Sequence, residues 1–165
     1  MKTKELTLGA VLTALSIIIP IAFTPFKVIL GPFTATLTSH VPLFLSMLIN
    51  PTVALMVGIG STIGFLLTAP AVIAARASSH IVVGFVGAVI IKKGFSTVTA
   101  FAVTLPIHAI IEALVVIPFG FTAYKVLVVV GVGTALHHIA DATIATSVIY
   151  LLTPFLKLSP IKNNR

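Results

Sequence analysis

The sequence contains no cysteine and no tryptophan, and only three of its 165 residues are acidic. Without cysteine, the chain forms no disulfide and offers no thiol for catalysis. Charged residues of both signs make up 8% of the chain, whereas hydrophobic residues make up 58%. Because soluble domains carry about 25% charged residues, this composition excludes an ordinary soluble domain.

Long apolar segments follow one another along the whole chain. A helix needs about 20 apolar residues to cross the hydrocarbon core of a membrane. We therefore predict an all-α, multi-pass protein of the cell membrane, with a single integral domain over residues 1–165 in contact with the lipid bilayer. Its fold is expected to be a bundle of six transmembrane helices. The predicted helices cover residues 7–24, 35–49, 52–68, 71–91, 96–118 and 125–152.

The distribution of lysine and arginine predicts how the bundle is oriented. With the N-terminus inside, seven of the ten basic residues flank cytoplasmic helix ends: Lys2, Lys4, Lys92, Lys93, Lys157, Lys162 and Arg165. Only Lys27 and Lys125 flank outer ends, and this asymmetry follows the positive-inside rule. An even number of helices then places both the N- and C-termini in the cytoplasm. The spread of the basic residues gives no reason to expect nucleic acid as a partner.

Ionisable side chains within the predicted helices are the main functional signal. Residues 28–75 include no lysine, arginine, aspartate or glutamate. A charge at membrane depth costs at least about 2.5–3.5 kcal/mol, so such residues usually face the bundle interior and mark a functional site. The ionisable residues in question are His40, Arg76, His80, His108, Glu112, His137, His138 and Asp141, with Ser39 and other hydroxyls nearby.

Each of these residues also has a structural interpretation. Arg76 can contact a ligand, or it can pair with Glu112 or Asp141 to hold helices together. His108 and Glu112 are separated by one helical turn and can hydrogen-bond each other. Of the adjacent residues His137 and His138, at least one is expected to pack structurally.

Catalysis and metal binding find little support in the sequence. There is no HExxH motif, no ligand spacing that fixes a coordination geometry and no nucleophile elbow. A phosphate-cradling GxxxxGK loop is also missing. We therefore expect no enzyme activity, no metal and no cofactor, and any energy for active transport must come from another protein.

Two pairs of small residues have the spacing that lets membrane helices approach closely. Ala10 and Ala14 lie four residues apart on the first helix, and Gly60 and Gly64 on the third. Internal packing is one interpretation of each pair. Docking of a partner protein on the first helix is the other.

The whole chain resembles the substrate-capture (S) components of energy-coupling factor (ECF) transporters, which import vitamins. The resemblance includes the chain length, the six predicted helices, the Ala10-xxx-Ala14 pair and a Pro25–Phe33 loop able to cover a site. The segments Thr38-Ser39-His40-Val41-Pro42 and Arg76-Ala77-Ser78-Ser79-His80 look like the niacin-specific branch.

This resemblance implies a subunit that captures a small-molecule vitamin and then docks on a transmembrane coupling subunit driven by two cytoplasmic ATPases. Ala10 and Ala14 would meet the coupling subunit, and Arg76 would bind the nicotinate carboxylate. The other expected substrate-binding residues are Ser39, His40, His80, His108, Glu112, His138 and Asp141. The alternatives are another small vitamin, a self-sufficient proton-coupled carrier, or a membrane scaffold without a solute.

The charges of the ionisable residues within the predicted helices leave one question open. Arg76 offsets only one of Glu112 and Asp141, so this group of residues is formally negative when the histidines are neutral. An anionic vitamin is then less favoured than a cation. A protonated histidine beside either carboxylate would remove that objection.

Overall fold

The computed structural model describes residues 1–156, with side chains described up to residue 154. Lys157, Lys162 and Arg165, on which the orientation argument partly rests, lie outside that range. The helices are α1 (Thr3–Ala22), α2 (Val41–Met47), α3 (Pro51–Thr68), α4 (Ala71–Ala77), α5 (Ser79–Lys92), α6 (Thr97–Val115) and α7 (Gly133–Leu156). The strands are β1 (Lys27–Leu30) and β2 (Phe33–Thr36).

Helices α1 and α3 run parallel in close contact. A β-carbon on Gly60 would lie 2.6 Å from Cγ2 of Thr13, and one on Gly64 would lie 2.8 Å from Cα of Ile17. The later glycine on α3 thus contacts the later residue on α1, so the two helices run in the same direction. The two glycines serve internal packing, and residues 23–50 must carry the chain back to the end where α1 began.

The returning segment is not the helix that the sequence predicted. Residues 35–49 were expected to be helical, but Ala35 and Thr36 belong to β2, which pairs antiparallel with β1. Gly31, with a φ of 60°, occupies the first position of the two-residue Gly31-Pro32 turn. Glycine in this place is typical of a tight hairpin connection. The hairpin replaces most of the predicted loop over residues 25–33.

The β-branched residues explain why strand β2 forms where a helix was predicted. Thr34 and Thr36 suit a strand, and their segment pairs with residues 27–30. Thr38, whose φ is 70°, then ends the extended stretch. Helix α2 begins only at Val41, with Pro42 in its first turn, where proline has no hydrogen bond to lose.

Local capping signals position the remaining helices. Asn50 Oδ1 accepts the Val53 N–H at 2.9 Å and begins α3, while Ser96 Oγ accepts the Thr99 N–H at 3.0 Å and begins α6. Helices α4 and α5 join at Ser78 into one span. The predicted sixth helix starts with a π-helical stretch, Lys125–Val132, and continues as α7.

In the part of the chain that the structure describes, five helical segments are long and apolar enough to cross a membrane: Thr3–Ala22, Pro51–Thr68, Ala71–Lys92, Thr97–Phe119 and Lys125–Pro154. The sequence predicted six, and the second is the segment that forms the hairpin and the seven-residue α2. Large apolar side chains cover the outside, such as Leu67 at 71% exposure and Tyr150 at 73%. The chain is a multi-pass membrane protein. The cytoplasmic placement of both termini stays a prediction.

Two separate apolar regions lie on either side of the polar interior. The core cluster consists of residues from α1, α2, α3, α5, α6 and α7, centred on Leu43, Phe44, Met47, Val57 and Val83. The hairpin cluster consists of Phe33, Ala113, Val116, Val126 and Val130. The ionisable residues lie between these two regions.

Candidate functional site

The polar layer between the two apolar regions is built from five helices and the turn before α2. Phe44 of the core cluster lies against the rings of His40 and His138. On the opposite side, the ring of Phe33 lies 5.1 Å from the guanidinium carbon of Arg76. The layer is therefore shielded from both ends, and its polar groups must satisfy one another or a ligand.

Arg76 is buried, and its guanidinium makes three hydrogen bonds. Nε and Nη2 donate to Oε2 of Glu112 at 3.0 and 2.6 Å. Nη1 donates to the carbonyl oxygen of Pro32 at 2.9 Å. Arg76 thus joins α4 to α6 and also holds the hairpin turn.

Polar groups surround both oxygens of Glu112. Besides Arg76, Oε2 accepts a hydrogen bond from the hydroxyl of Thr134. Oε1 faces Nε2 of His108 at 3.3 Å and Nε2 of His80 at 4.0 Å. Thr134 on α7 was not among the residues expected in the site, and an isolated threonine in an apolar helix gives little signal.

Asp141 fixes the turn that precedes α2. Its Oδ1 accepts the backbone N–H of Thr38 at 2.9 Å, and Oδ2 accepts that of His40 at 2.9 Å. Oδ2 also lies 2.9 Å from Nδ1 of His40 and 3.2 Å from Nε2 of His137. Asp141 has no exposed surface, so its role in this state is to hold the backbone and two rings.

The histidines form a continuous chain through the layer. Nε2 of His40 lies 3.0 Å from Nε2 of His80, whose Nδ1 is 2.8 Å from the hydroxyl of Ser61. Nδ1 of His108 lies 3.1 Å from Nδ1 of His138. Nε2 of His138 donates to the carbonyl oxygen of Phe101 at 3.1 Å. Ser61, like Thr134, was missed by reasoning from sequence.

A small cavity of about 20 Å³ lies at the Arg76 end of this layer. Its lining residues are Thr34, Ser39, His40, Phe65, Ile73, Arg76, Ala77, His80, Glu112 and His137. The Ser39 hydroxyl is buried there and has no hydrogen-bond partner among the side chains described. Roughly one water fits this volume, so the structure shows a closed state of the site.

The predicted site residues therefore divide into two groups. Five of them line the cavity: Ser39, His40, Arg76, His80 and Glu112. His108, His138 and Asp141 lie behind them and contact lining residues. The expected site included His138 and left out His137, but His137 is the one that lines the cavity. Asp141 lies four residues after His137 and three after His138, so the helical spacing alone does not show which ring faces the cavity.

The small-residue pair on α1 lies away from the site. Ala10 and Ala14 are both exposed, on the face opposite Gly9 and Ser16, which are buried. This face of α1 is exposed in the structure, whereas Gly60 and Gly64 on α3 are covered by α1.

A comparison with proteins of known function agrees with the resemblance drawn from the sequence. Over 93 residues the chain is 41% identical to a niacin transporter, NiaX, of Lactococcus lactis subsp. cremoris strain MG1363. The match covers 56% of this chain and 41% of that protein's length. No family model and no solved structure matches the chain. The similarity to a niacin transporter is thus confirmed over about half of the chain.

Proposed function

We propose that this chain is the membrane-embedded substrate-binding subunit of an ATP-driven vitamin importer, and that its vitamin is nicotinate. The observation that carries the proposal is the buried guanidinium of Arg76, which lines a small cavity and also hydrogen-bonds the turn of the two-stranded hairpin. The similarity to a niacin transporter supports the choice of vitamin.

The cavity offers the groups that nicotinate needs. Arginine binds carboxylates through two parallel N–H donors, and Arg76 already holds the Glu112 carboxylate through Nε and Nη2. The free hydroxyl of Ser39 can donate a hydrogen bond to the pyridine nitrogen, and the rings of His40 and His80 line the same cavity. Phe65 provides an apolar wall against which an aromatic ring packs.

Capture requires the hairpin to open. Thr34 of the hairpin lines the cavity, Arg76 holds the hairpin turn through Pro32, and nicotinate is far larger than the cavity of about 20 Å³. In the proposed cycle the hairpin lifts, nicotinate competes with the Pro32 carbonyl and with Glu112 for Arg76, and the hairpin then closes over the bound vitamin.

Energy is proposed to come from a coupling subunit and two ATPases that dock on α1. The exposed Ala10 and Ala14 let another helix approach closely. A self-sufficient proton-coupled carrier is the second candidate, favoured by the continuous chain of histidines and carboxylates. Uptake measured in cells with and without the ATPases separates the two, since only the second candidate transports fully without them.

Calorimetry on the purified protein tests the capture role itself. Nicotinate is expected to bind tightly and nicotinamide at least tenfold more weakly, because the amide lacks the charge that Arg76 recognises. Binding of a different vitamin from a panel would retain the capture role and change the substrate. If no vitamin binds, the proposal is wrong and a scaffold role gains support.

A further inference from the structure

We propose that His40, His80 and His108, with Glu112 as a fourth ligand, form a binding site for one divalent transition-metal ion. One ring nitrogen from each of the three histidines lies within 4.8 Å of the other two. The three residues come from different elements: the turn before α2, α5 and α6. Sequence spacing did not indicate this site, because the three histidines are 28 to 68 positions apart and only the fold brings them together.

The hydrogen bonds on the far side of the rings determine which nitrogens can bind a metal. The Asp141 carboxylate only accepts, so Nδ1 of His40 carries the proton and Nε2 presents a lone pair. The Phe101 carbonyl likewise places the proton of His138 on Nε2. Nδ1 of His138 then accepts from Nδ1 of His108, which leaves a lone pair on Nε2 of His108.

This proton assignment leaves electron pairs facing one another. With uncharged imidazoles, the lone pair of His108 Nε2 points at Oε1 of Glu112 only 3.3 Å away. Nε2 of His40 and Nε2 of His80 lie 3.0 Å apart on the same side, and His80 Nδ1 can give its proton to Ser61. Three ring nitrogens therefore converge, with a carboxylate oxygen beside those of His80 and His108, and at most one proton lies among them. A cation at their centre removes the repulsion.

The geometry suits a small tetrahedral metal ion such as Zn²⁺. Zinc binds histidine nitrogen at about 2.0–2.1 Å, which places neighbouring ligands about 3.3 Å apart. Nε2 of His40 and His80 are 3.0 Å apart, Nε2 of His108 is 3.3 Å from Oε1 of Glu112, and ring nitrogens of all three histidines lie within 4.8 Å of one another, which is close to that value. Each ring also has an orienting partner on Nδ1, namely Asp141, Ser61 and His138, as metal-binding histidines usually do.

Charge in the layer favours a divalent ion, a step that rests on the proposed function. Among the residues with described side chains, the buried charged groups are Arg76, Glu112 and Asp141, with a net charge of −1. Bound nicotinate would bring the layer to −2. One divalent cation makes it neutral, which answers the objection that a negative layer should reject an anion.

Cobalt(II) is the first probe because tetrahedral Co²⁺ absorbs strongly in the visible range. The protein is stripped with a chelator, and Co²⁺ and then Zn²⁺ are added without vitamin. We expect one ion per chain by elemental analysis and a tetrahedral Co²⁺ spectrum that Zn²⁺ abolishes. If neither metal binds at one ion per chain, the proposal is wrong and a protonated histidine holds the cluster together.

Variants locate the ion within the layer. His108→Gln and His80→Gln are expected to weaken Co²⁺ binding at least 100-fold, and Ser61→Ala about 10- to 100-fold. His137→Gln is the matched control, since its Nε2 lies against Asp141 and the Thr36 carbonyl oxygen. If His137→Gln abolishes binding while His108→Gln does not, the ion lies between His40, His137 and Asp141, and this assignment fails.

Nicotinate titration of the metal-free protein separates this inference from the proposed function. Nicotinate binding in a protein that takes up no metal would overturn the metal site and leave the capture role. Metal binding without any nicotinate binding would support the metal site and contradict the capture role. Ser61→Ala leaves every proposed ligand in place, so it still tests the site if a histidine variant does not fold.

Discussion

Arg76 donates a hydrogen bond from Nη1 to the carbonyl oxygen of Pro32 at 2.9 Å, and so joins the membrane-buried site to the hairpin above it. The same guanidinium is held by Glu112 on α6 and lies over the ring of Phe33. If the hairpin opens as proposed, it therefore breaks a contact of Arg76, the residue proposed to bind the vitamin carboxylate.

A disulfide between the hairpin and α7 should hold the hairpin in place over the site. A β-carbon on Gly133 would lie 3.1 Å from Cγ of Phe33, which brings the β-carbons of the two positions near the 3.5–4.5 Å that a disulfide needs. The chain has no cysteine of its own. We expect oxidised Phe33→Cys/Gly133→Cys protein to bind nicotinate at least tenfold more slowly, with full recovery on reduction.

Each single-cysteine variant under the same oxidation is the control for that experiment. Equal binding rates in the oxidised and reduced double variant would show that nicotinate enters without movement of the hairpin.

Replacement of Arg76 should reduce nicotinate affinity while leaving the weaker nicotinamide binding nearly unchanged. Arg76→Ala removes the charge that is proposed to pair with the vitamin carboxylate, and we expect at least a tenfold loss, equal to about 1.4 kcal/mol. Because the change also leaves Glu112 buried and unpaired, Arg76→Ala/Glu112→Gln is measured beside it. An unchanged dissociation constant in folded Arg76→Ala protein would remove Arg76 from the site.

Asp141→Asn should loosen the turn before α2. An asparagine amide has one acceptor oxygen, so its NH₂ group would face a backbone N–H of Thr38 or His40. We expect a loss of about 1–3 kcal/mol in the free energy of unfolding and weaker nicotinate binding. Thermal unfolding in detergent measures the first effect, with exposed Thr143→Val as the control. An unaltered midpoint would show that the turn does not depend on Asp141.

The long helices were predictable because each needs only a local apolar run with a stop signal at its end. Asn50-Pro51 and Lys92-Lys93-Gly94 are such signals, and the structure turns at both places. The hairpin was not predicted, because Gly31 and Pro32 indicate a loop over residues 25–33 and the residues from 35 onward were expected to be helical. The strand pairing depends on the Gly31-Pro32 turn and on contacts with Arg76 and Asp141, which are distant in sequence.

The types of residue in the site could be predicted from the sequence, but which of these side chains contact one another could not. The energetic cost of buried charge identified Arg76, Glu112 and Asp141 from sequence alone. Which carboxylate pairs with Arg76 depends on how α4, α6 and α7 are arranged, and the structure selects Glu112. Local periodicity does not show that the His40, His80 and His108 rings converge, because the three belong to different elements.

The glycines of α3 should be intolerant of side chains where α1 lies against them. Gly64→Val would place its β-carbon 2.8 Å from the backbone of Ile17, and we expect an overpacking cost of about 1–3 kcal/mol. Gly131→Ala is the control, because its β-carbon meets nothing closer than 3.7 Å. Thermal unfolding in detergent should show a lower midpoint only for Gly64→Val. Equal midpoints would mean that α1 shifts without cost.

Bulky residues on the exposed face of α1 should block energised transport and leave vitamin capture intact. Ala10→Leu/Ala14→Leu adds volume where another helix is proposed to approach, away from the cavity. We expect nicotinate affinity within twofold of the original protein and uptake into cells reduced at least tenfold. The matched control is Ala102→Leu, an exposed alanine on α6.

Two results would contradict the role of α1. Normal uptake in the double variant would show that partners dock elsewhere or that the chain transports by itself. An equal loss of uptake in Ala102→Leu would show that any added bulk in the membrane impairs the protein. Co-purification with the coupling subunit separates these cases, since only a docking defect reduces the amount of partner recovered per mole of nicotinate-binding protein.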